Sequence, residues 1–381
     1  MIERIVVVGG GIGGLAAAVA LHRRGREVLV LERAAEFTEI GAGLSLWPNA
    51  MRALAALGLA GQVRALGAVE TAGGVRDRAG RWLTRTSNAE IEQRHGWPLV
   101  VVHRADLVRI LAAALPPSAL QPDSEAVAVS QDSEGAVVEH RGGRERADLV
   151  VGADGLNSAL RSQWWPNAGK PRYAGCTAWR AITSPVPGLR GEGAVLWGRG
   201  ERIGCTVLSG SRYYLFAAAT APAGSSGGGA ELRRRFGDWP DPIPELLAAA
   251  PVDAVLQHDV YDMASLPTYV HGRVVLVGDA AHPMNPILGQ GACQALEDAV
   301  TLASCLDATA DVDAALVRYD LARRPRTRSI VRRSARLGAV AQWSWPPAAS
   351  IRDLGARLTP ARATLRAMAP VLGWTPDVAE L

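Results

Sequence analysis

Apolar runs that predict buried strands alternate along the chain with stretches of helical periodicity. Residues 4–9 are mostly β-branched and are followed by glycines, a pattern typical of a buried strand. The glycine-rich stretch 9–14 comes next, and the Ala- and Leu-rich stretch 15–24 predicts a helix that ends at Gly25. Residues 28–31 form a second apolar run. The chain therefore begins with a predicted βαβ unit, which indicates the α/β class.

Further along, the pattern changes to shorter strands. Turn residues separate short apolar runs over 68–101 and again over 172–220, which predicts an antiparallel sheet in the second stretch. Three strands are expected near 126–130, 136–141 and 148–152. A last buried strand at 273–277 precedes a helix from about residue 290 to 306, and the remainder is helical and rich in arginine.

The amino-acid composition limits the classes of protein to which this chain can belong. The 381 residues are 48% hydrophobic and 20% charged, which is typical of a globular protein and not of a disordered one. We find no apolar stretch long enough to span a membrane and no leader-like N-terminus, so the protein is expected to be cytoplasmic. The four cysteines lie far apart and the histidines lack ligand spacing. No metal site is predicted.

Charge argues against a nucleic-acid partner. The net charge is +4, and the densest basic run, 323–336, lacks the interleaved aromatic residues that stack on bases. The 41 basic residues include a single lysine, Lys170. Any mechanism that needs a catalytic lysine therefore has only one position available.

The first motif that carries chemistry lies between the first strand and the first helix. Gly9 suits a tight turn, Gly11 lets a pyrophosphate approach the backbone, and Gly14 lets the helix pack on the strand. The positive end of the helix attracts the phosphates. Glu32 ends the second strand at the spacing expected for a carboxylate that binds ribose hydroxyls. Together these residues predict dinucleotide binding.

Two later motifs indicate which dinucleotide is bound. The strand at 150–153 ends in Asp154-Gly155, and the strand at 275–277 ends in Gly278-Asp279, before Pro286 and the glycines at 289 and 291. A carboxylate at a strand end can bind a polyol chain, and glycine amides can then face an oxygen of a flavin ring. A plain nicotinamide dehydrogenase has no need of such a group, so FAD is favoured.

These three motifs in this order resemble the group A FAD-dependent monooxygenases, the single-component aromatic hydroxylases. The resemblance covers roughly residues 4–325 and includes the segments 41–54, 103–107, 154–161 and 278–299. It implies a Rossmann-like, glutathione-reductase-like FAD-binding domain with an inserted antiparallel-sheet substrate domain and C-terminal helices. The expected FAD domain comprises 1–70, 101–170 and 270–325, the substrate domain 71–100 and 171–269, and the helical segment 326–381.

The resemblance also implies which residues contact non-covalently bound FAD. Glycines 9, 11, 13 and 14 would hold the pyrophosphate, Asp154 belongs to a motif implicated in both FAD and NAD(P)H binding, and Asp279 would bind the ribityl chain. Cys293 stands where many relatives have Asn, a change that is tolerable if the position acts through its backbone N–H. The complete expected cofactor set is Gly9, Gly11, Ile12, Gly13, Gly14, Glu32, Arg33, Ser45, Arg104, Val127, Asp154, Asp279, Pro286, Gly289, Gln290, Gly291, Ala292 and Cys293.

The reaction implied by the family is hydroxylation of a small aromatic or heteroaromatic compound through a flavin C4a-hydroperoxide. NAD(P)H reduces the flavin, O₂ adds to it, and the chemistry belongs to the cofactor. The sequence contains no second strand–GxGxxG–helix unit, so NAD(P)H is expected to bind transiently, without a domain of its own. A monomer or homodimer is expected, with no membrane partner.

Three residues of the predicted antiparallel sheet are candidate catalytic residues: Arg202, Tyr214 and Arg180. The first two resemble the Arg and Tyr implicated in the flavin-dependent urate hydroxylase, where Arg could stabilise an anion and Tyr could relay a proton. That enzyme has Asn at the position of Arg180, which puts urate itself in doubt. Trp47, Trp179 and Trp197 are expected to form pocket walls.

The sequence is also consistent with other functions. A flavin-dependent halogenase would need a lysine near a WxWxIP motif, and neither is suitably placed. A reductase, a desaturase or an epoxidase on the same fold is an alternative, as is a flavin-binding protein without turnover.

Overall fold

In a computed structural model the chain is described over residues 2–37, 42–132, 135–189 and 191–376. Gly41, the first residue of the segment 41–54, lies outside these ranges. The strands are β1 (Arg4–Val8), β2 (Glu27–Leu31), β3 (Gly43–Leu46), β4 (Ala68–Val69), β5 (Ala72–Asp77), β6 (Trp82–Ser87), β7 (Val100–His103), β8 (Leu120–Gln121), β9 (Ala126–Asp132), β10 (Gly135–His140), β11 (Gly143–Ala147), β12 (Leu149–Gly152), β13 (Arg172–Ile182), β14 (Ala194–Trp197), β15 (Glu201–Leu208), β16 (Arg212–Thr220), β17 (Leu256–Asp262), β18 (Val270–His271) and β19 (Val274–Leu276). The helices are α1 (Ile12–His22), α2 (Pro48–Ala56), α3 (Ala60–Leu66), α4 (Asn88–His95), α5 (Arg104–Ala113), α6 (Ala159–Trp164), α7 (Gly228–Phe236), α8 (Ile243–Ala249), α9 (Gly291–Asp307), α10 (Val312–Ala341), α11 (Pro346–Leu358) and α12 (Ala361–Leu372).

A six-stranded sheet forms the larger core, in the order β18-β19-β12-β1-β2-β8. All neighbouring pairs are parallel except β18 with β19. Ile5, Val6 and Val7 of β1 are fully buried, because side chains on both faces of the strand are covered. The predicted apolar strands are thus neighbours in one sheet. Their carboxyl ends meet at one edge, where ligands of open α/β sheets bind.

A seven-stranded sheet faces that edge, in the order β17-β13-β16-β15-β14-β5-β6. It is antiparallel apart from the pair of β14 with β5. One face packs on α7 and α8 through a cluster that contains Trp179, Phe236 and Leu246. The other face contributes to the cleft described below. The antiparallel sheet predicted over 172–220 is confirmed, and it extends to β5, β6 and β17.

Two features differ from the sequence prediction. The helix α4 was not expected, because only Asn88 and Ile91 of its residues are buried and its apolar periodicity is correspondingly weak. The helix α10 runs unbroken over 30 residues, so the predicted boundary after residue 325 falls inside it. Tyr319 of α10 donates to the Leu276 carbonyl, while Gln342, just after the helix, contacts Arg202 of the second sheet. This helix therefore spans both sheets.

Over the described ranges, the structure contains no helix that is both long and apolar enough to cross a membrane.

Candidate active site

A large cleft separates the carboxyl edge of the parallel sheet from the open face of the seven-stranded sheet. Its volume is about 900 Å³, within the range of small-molecule and cofactor sites. The predicted site residues that line it are Gly9, Gly11, Ile12, Gly13, Glu32, Arg33, Ser45, Arg104, Val127, Asp154, Arg180, Arg202, Tyr214, Asp279, Pro286, Gly289, Gly291 and Ala292. The structure thus brings together residues that are more than 250 positions apart in the sequence.

The glycine-rich loop opens one end of the cleft. Gly9 has φ +107°, a region that L side chains rarely adopt, and a Cβ there would collide with the Ala153 carbonyl. The helix α1 begins after Gly11, which provides no side-chain cap, so the first-turn amides have no side-chain acceptor there. An anion would be stabilised at this helix end by those amides and by the helix dipole.

Gly14 has a different role from that of its neighbours. It does not line the cleft, and a Cβ on it would collide with the Gly9 carbonyl oxygen. Gly14 therefore allows α1 to pack closely on the end of β1, and its contact with the pyrophosphate stays a prediction. This is the packing role that the spacing of the motif predicts.

Glu32 follows β2 and is anchored by the backbone on either side of it. Its Oε2 accepts a hydrogen bond from Gly10 N (2.6 Å), and its Oε1 accepts one from Ala34 N (2.8 Å). The carboxylate is therefore held beside the glycine loop, where a ribose attached to the bound phosphates would lie. Arg33 and Val127 are exposed at this end of the cleft.

Two aspartates occupy the strand ends farther along the cleft. Asp154 Oδ2 accepts a hydrogen bond from Leu160 N (3.1 Å), whereas its Oδ1 is buried and has no hydrogen-bond partner among the described residues. Asp279 is exposed to the cleft. Arg161 joins the two loops by donating to the carbonyls of Leu156 and Ala280. A buried acceptor without a partner and an open carboxylate are what a hydroxyl-rich ligand would satisfy.

The start of α9 forms a second helix N-terminus at the cleft. Gly291 and Ala292 line the cleft, while the side chains of Gln290 and Cys293 are fully buried and do not. The Gln290 side chain bonds to Asn49 (3.0 Å) and Gln294 (3.0 Å), and burial raises the pKa of the Cys293 thiol to about 12. Any contact of Gln290 or Cys293 with the cofactor is therefore restricted to the backbone. Such a role is compatible with Cys in place of Asn.

An ion cluster supports the loop that carries Asp279. It consists of four buried residues (His282, Glu297, Asp298 and Arg323) and the partly exposed Arg326. Asp298 accepts bonds from Gly278 N (2.9 Å) and Arg323 Nε (2.6 Å), and its Oδ2 lies 2.6 Å from His282 Nε2. Arg323 and Arg326 both pair with Glu297. The four buried members of the cluster fix the position of this loop, because breaking one of their pairs would leave a buried charge alone. His282 is thus a structural residue.

Tyr214, Phe216 and Arg180 lie side by side on the open face of the seven-stranded sheet. Tyr214 is opposite Ile182 and Thr206, while Arg180 is opposite Phe216. Burial raises the pKa of Tyr214, and the charges of Arg180 and Arg104 partly offset this effect. Burial and Arg180 lower the pKa of Arg104, which also interacts with Asp279. Two cations and a neutral phenol thus share one part of the cleft.

Arg202 and Tyr214, two of the candidate catalytic residues, lie far apart along the seven-stranded sheet. It is opposite Ala218 and Trp197, four residues along β15 from the position opposite Tyr214, which corresponds to about 13 Å. Its Nη1 donates to Gln342 Oε1 (2.6 Å), and burial lowers its pKa. Arg180, on the neighbouring strand, is the nearer arginine.

The three tryptophans expected at the pocket, Trp47, Trp179 and Trp197, all line the cleft. Trp179 also contributes to the core, because its ring packs on Phe236 with centroids 6.3 Å apart on the opposite face of the sheet. Its neighbour Arg180 faces the cleft, as the alternation of side chains along a strand requires. No motif of the sequence indicates Glu70, which is a buried acid of the cleft wall.

Comparisons with known proteins agree with this geometry. Residues 3–334 match the family model described as FAD binding domain. The chain is 37% identical over 354 residues to the aurachin C monooxygenase/isomerase of Stigmatella aurantiaca, covering 92% of each protein. It is 37% identical over 366 residues to the 3-amino-4-hydroxybenzoate 2-monooxygenase of Streptomyces cremeus, covering 93% of this chain and 92% of that one. The crystal structure of Klebsiella pneumoniae HpxO complexed with FAD and uric acid matches with a TM-score of 0.91 and 29% identity, over 98% of this chain and 97% of that one.

Proposed function

Because this chain belongs to the FAD-binding-domain family and, within it, to the group A FAD-dependent monooxygenases, we propose that it hydroxylates a small aromatic or heteroaromatic compound with NAD(P)H and O₂ as co-substrates. One observation supports this most directly. A continuous cleft joins the phosphate-binding end of the parallel sheet to a wall of Arg180 and Tyr214 on the second sheet. A cofactor and a substrate could therefore meet in it.

The residues of the cleft fit FAD. The first-turn amides of α1 would hold the pyrophosphate, Glu32 the adenosine ribose, and Asp279 the ribityl hydroxyls. The amides that begin α9 would face the flavin ring, where a helix N-terminus favours negative charge. When bound, FAD would supply the redox chemistry by which NAD(P)H and O₂ are used.

The remaining residues of the cleft would bind and orient the substrate. Arg180 and Arg104 offer positive charge to a carboxylate or phenolate. The raised pKa of Tyr214 keeps its phenol protonated at neutral pH, so it would donate a hydrogen bond to a substrate oxygen. The apolar surfaces of Phe216 and Trp197 would pack against an aromatic ring and exclude water from the reacting atoms.

The named relatives act on different compounds, so identity at this level does not select one substrate. Aurachin C, 3-amino-4-hydroxybenzoate and uric acid are named for those proteins. What the three enzymes have in common supports an aromatic or heteroaromatic substrate with polar substituents. For NAD(P)H we propose transient use of the same cleft, because the described strands form a single parallel nucleotide-type sheet.

A substrate screen tests the proposal. The FAD-loaded protein is incubated aerobically with NADH or NADPH and a panel of hydroxylated, aminated and carboxylated aromatic compounds. We expect at least one compound to stimulate cofactor oxidation and to gain one oxygen atom, as measured by product mass. A reduced or desaturated product without added oxygen would instead indicate the reductase or desaturase alternative. Failure of the reduced protein to react with O₂ across the panel would indicate a non-catalytic flavoprotein.

A further inference from the structure

An acidic side chain with no assigned role forms part of the cleft wall. Glu70 lies between β4 and β5 and is only 5% exposed. The cleft around it is lined by small residues, among them Gly73, Gly193 and Ala194. It lies on the side of the cleft formed by the seven-stranded sheet, away from the glycine loop.

The position of Glu70 follows from the way β14 begins. The pairing of β14 with β15 starts at Ala194 and Cys205, so Thr206 and Val207 have no strand partner on that side. Glu70 Oε1 takes this place by accepting hydrogen bonds from Val207 N (3.2 Å) and from Thr206 Oγ1. A Cβ at residue 193 would collide with the carboxyl group, so Gly193 is required there.

The second carboxyl oxygen is left open. Among the described residues no hydrogen bond reaches Oε2, and this atom is not one of the fully buried polar atoms. A Cβ on Gly73 would lie 3.6 Å from Oε2, so the glycine leaves space beside it. Thr206, which holds Oε1, is directly opposite Tyr214 on the same face of the sheet. A ring that contacts Tyr214 could therefore also reach this part of the wall.

Among the described residues, no cation pairs with the Glu70 carboxyl group. In the described ranges no ion pair includes Glu70, and Arg76, the arginine of β5, pairs with Glu192 instead (3.5 Å). Burial raises the pKa of Glu70 to about 7 in spite of its two hydrogen bonds. The titratable neighbours on β15 and β16, Cys205 and Tyr213, both have raised pKa values, about 12 for Cys205, because they are buried. Of these three described groups, Glu70 is the one whose pKa lies nearest to neutral pH.

A purely structural acceptor would not need a carboxyl group. A neutral amide oxygen could accept the bonds from Thr206 and Val207 without the cost of burying an unpaired charge. We propose that Glu70 is a specificity-determining residue, whose Oε2 accepts a hydrogen bond from an N–H or O–H group on the aromatic substrate. The substrate class is then narrowed to rings that carry a lactam N–H, an amino group or a hydroxyl group.

This inference rests on the proposed function, and ligand binding tests it separately from turnover. The FAD-loaded protein is titrated with two donor-bearing compounds, uric acid and 3-amino-4-hydroxybenzoate. Two donor-free counterparts, tetramethyluric acid and 4-methoxybenzoate, serve as matched probes. Binding is followed by the change in flavin absorbance between about pH 6 and 8, on either side of the pKa of Glu70.

We expect the wild-type protein to bind at least one donor-bearing compound about tenfold more tightly than its donor-free counterpart, a difference of about 1.4 kcal/mol. The preference should grow as the pH rises through about 7, because the carboxylate is the stronger acceptor. Glu70→Gln should abolish both the preference and its pH dependence. Glu90→Gln, which removes an exposed acid of α4, should change neither.

A second variant distinguishes this role from a structural one. Thr206→Val removes the hydroxyl donor that stabilises the carboxylate, so the midpoint of the pH dependence should move to higher pH. A structural role predicts no such shift. The proposal is overturned if Glu70→Gln keeps the wild-type preference, if Thr206→Val leaves the midpoint in place, or if the wild-type flavin responds to none of the donor-bearing compounds. The proposed monooxygenase function would survive these results wherever the wider screen yields an oxygenated product.

Discussion

At the residue scale, the two acids of the strand ends differ in how far the protein already satisfies them. Asp154 uses one oxygen to hold Leu160 N, whereas the Asp279 side chain is exposed to the cleft. Asp279 is therefore the acid whose role depends most on a ligand. Its loop is fixed from behind by Asp298, which binds Gly278 N (2.9 Å), so the carboxylate is held ready before any ligand arrives.

Replacing Asp279 with Asn should weaken FAD binding about ten- to a hundredfold, because hydrogen bonds to a charged acceptor contribute about 1.5–3 kcal/mol. The flavin-to-protein ratio after purification and the Kd on reconstitution measure this effect. Asp313→Asn, at an exposed carboxylate in the first turn of α10, is the control and should retain FAD fully. Undiminished flavin content in the Asp279 variant would contradict the assignment to the ribityl chain.

At the element scale, the packing of α1 against the end of β1 controls the shape of the phosphate site. The helix is buried along most of its length and packs on both the parallel sheet and α9. The glycines at its start allow an approach that a side chain would prevent. This part of the fold was predictable from sequence, because strand, turn and helix are consecutive and their spacing fixes the geometry.

Replacing Gly14 with Ala should destabilise the protein by about 1–3 kcal/mol, because the new methyl group would collide with the Gly9 carbonyl. FAD retention should fall as well, since the collision displaces the loop. Chemical denaturation and flavin content measure the two effects. Gly61→Ala, in α3 with no atom within 4 Å of the added methyl group, is the matched control and should be neutral or stabilising by up to about 1 kcal/mol. Equal stability of the two variants would refute the packing role of Gly14.

At the scale of the whole molecule, α9 and α10 connect the loop that carries Asp279 to the rest of the fold. Arg323 of α10 is 1% exposed and bonds to both Glu297 and Asp298 of α9. Farther along, the residue after α10, Gln342, holds Arg202 of the seven-stranded sheet. The helix and the residue after it therefore contact both the ion cluster behind the loop that carries Asp279 and Arg202, a candidate catalytic residue.

Replacing Arg323 with Gln should lower the free energy of unfolding by about 3–5 kcal/mol, because the two buried carboxylates Glu297 and Asp298 lose the fully buried cation that they share. FAD should also dissociate more readily, since Asp298 then holds the Gly278 turn less firmly. Arg324→Gln, which removes a partly exposed ion pair with Asp320 in the same helix, should cost no more than about 1 kcal/mol. Denaturant unfolding of both variants measures the difference, and similar losses would show that the buried cluster has no special role.

The sequence by itself determined the α/β class, the glycine loop, the acids at the strand ends and the family, because these signals are short and follow one another along the chain. The tertiary structure decided what depends on strand pairing. Register placed Arg180 beside Tyr214, packed the Trp179 ring into the core on the opposite face of the sheet and separated Arg202 from Tyr214 by four residues of β15. The tertiary structure also placed the carboxyl group of Glu70 at the cleft, although Glu70 belongs to no sequence motif. A shift of one residue would have reversed these faces, and only long-range packing fixes the register.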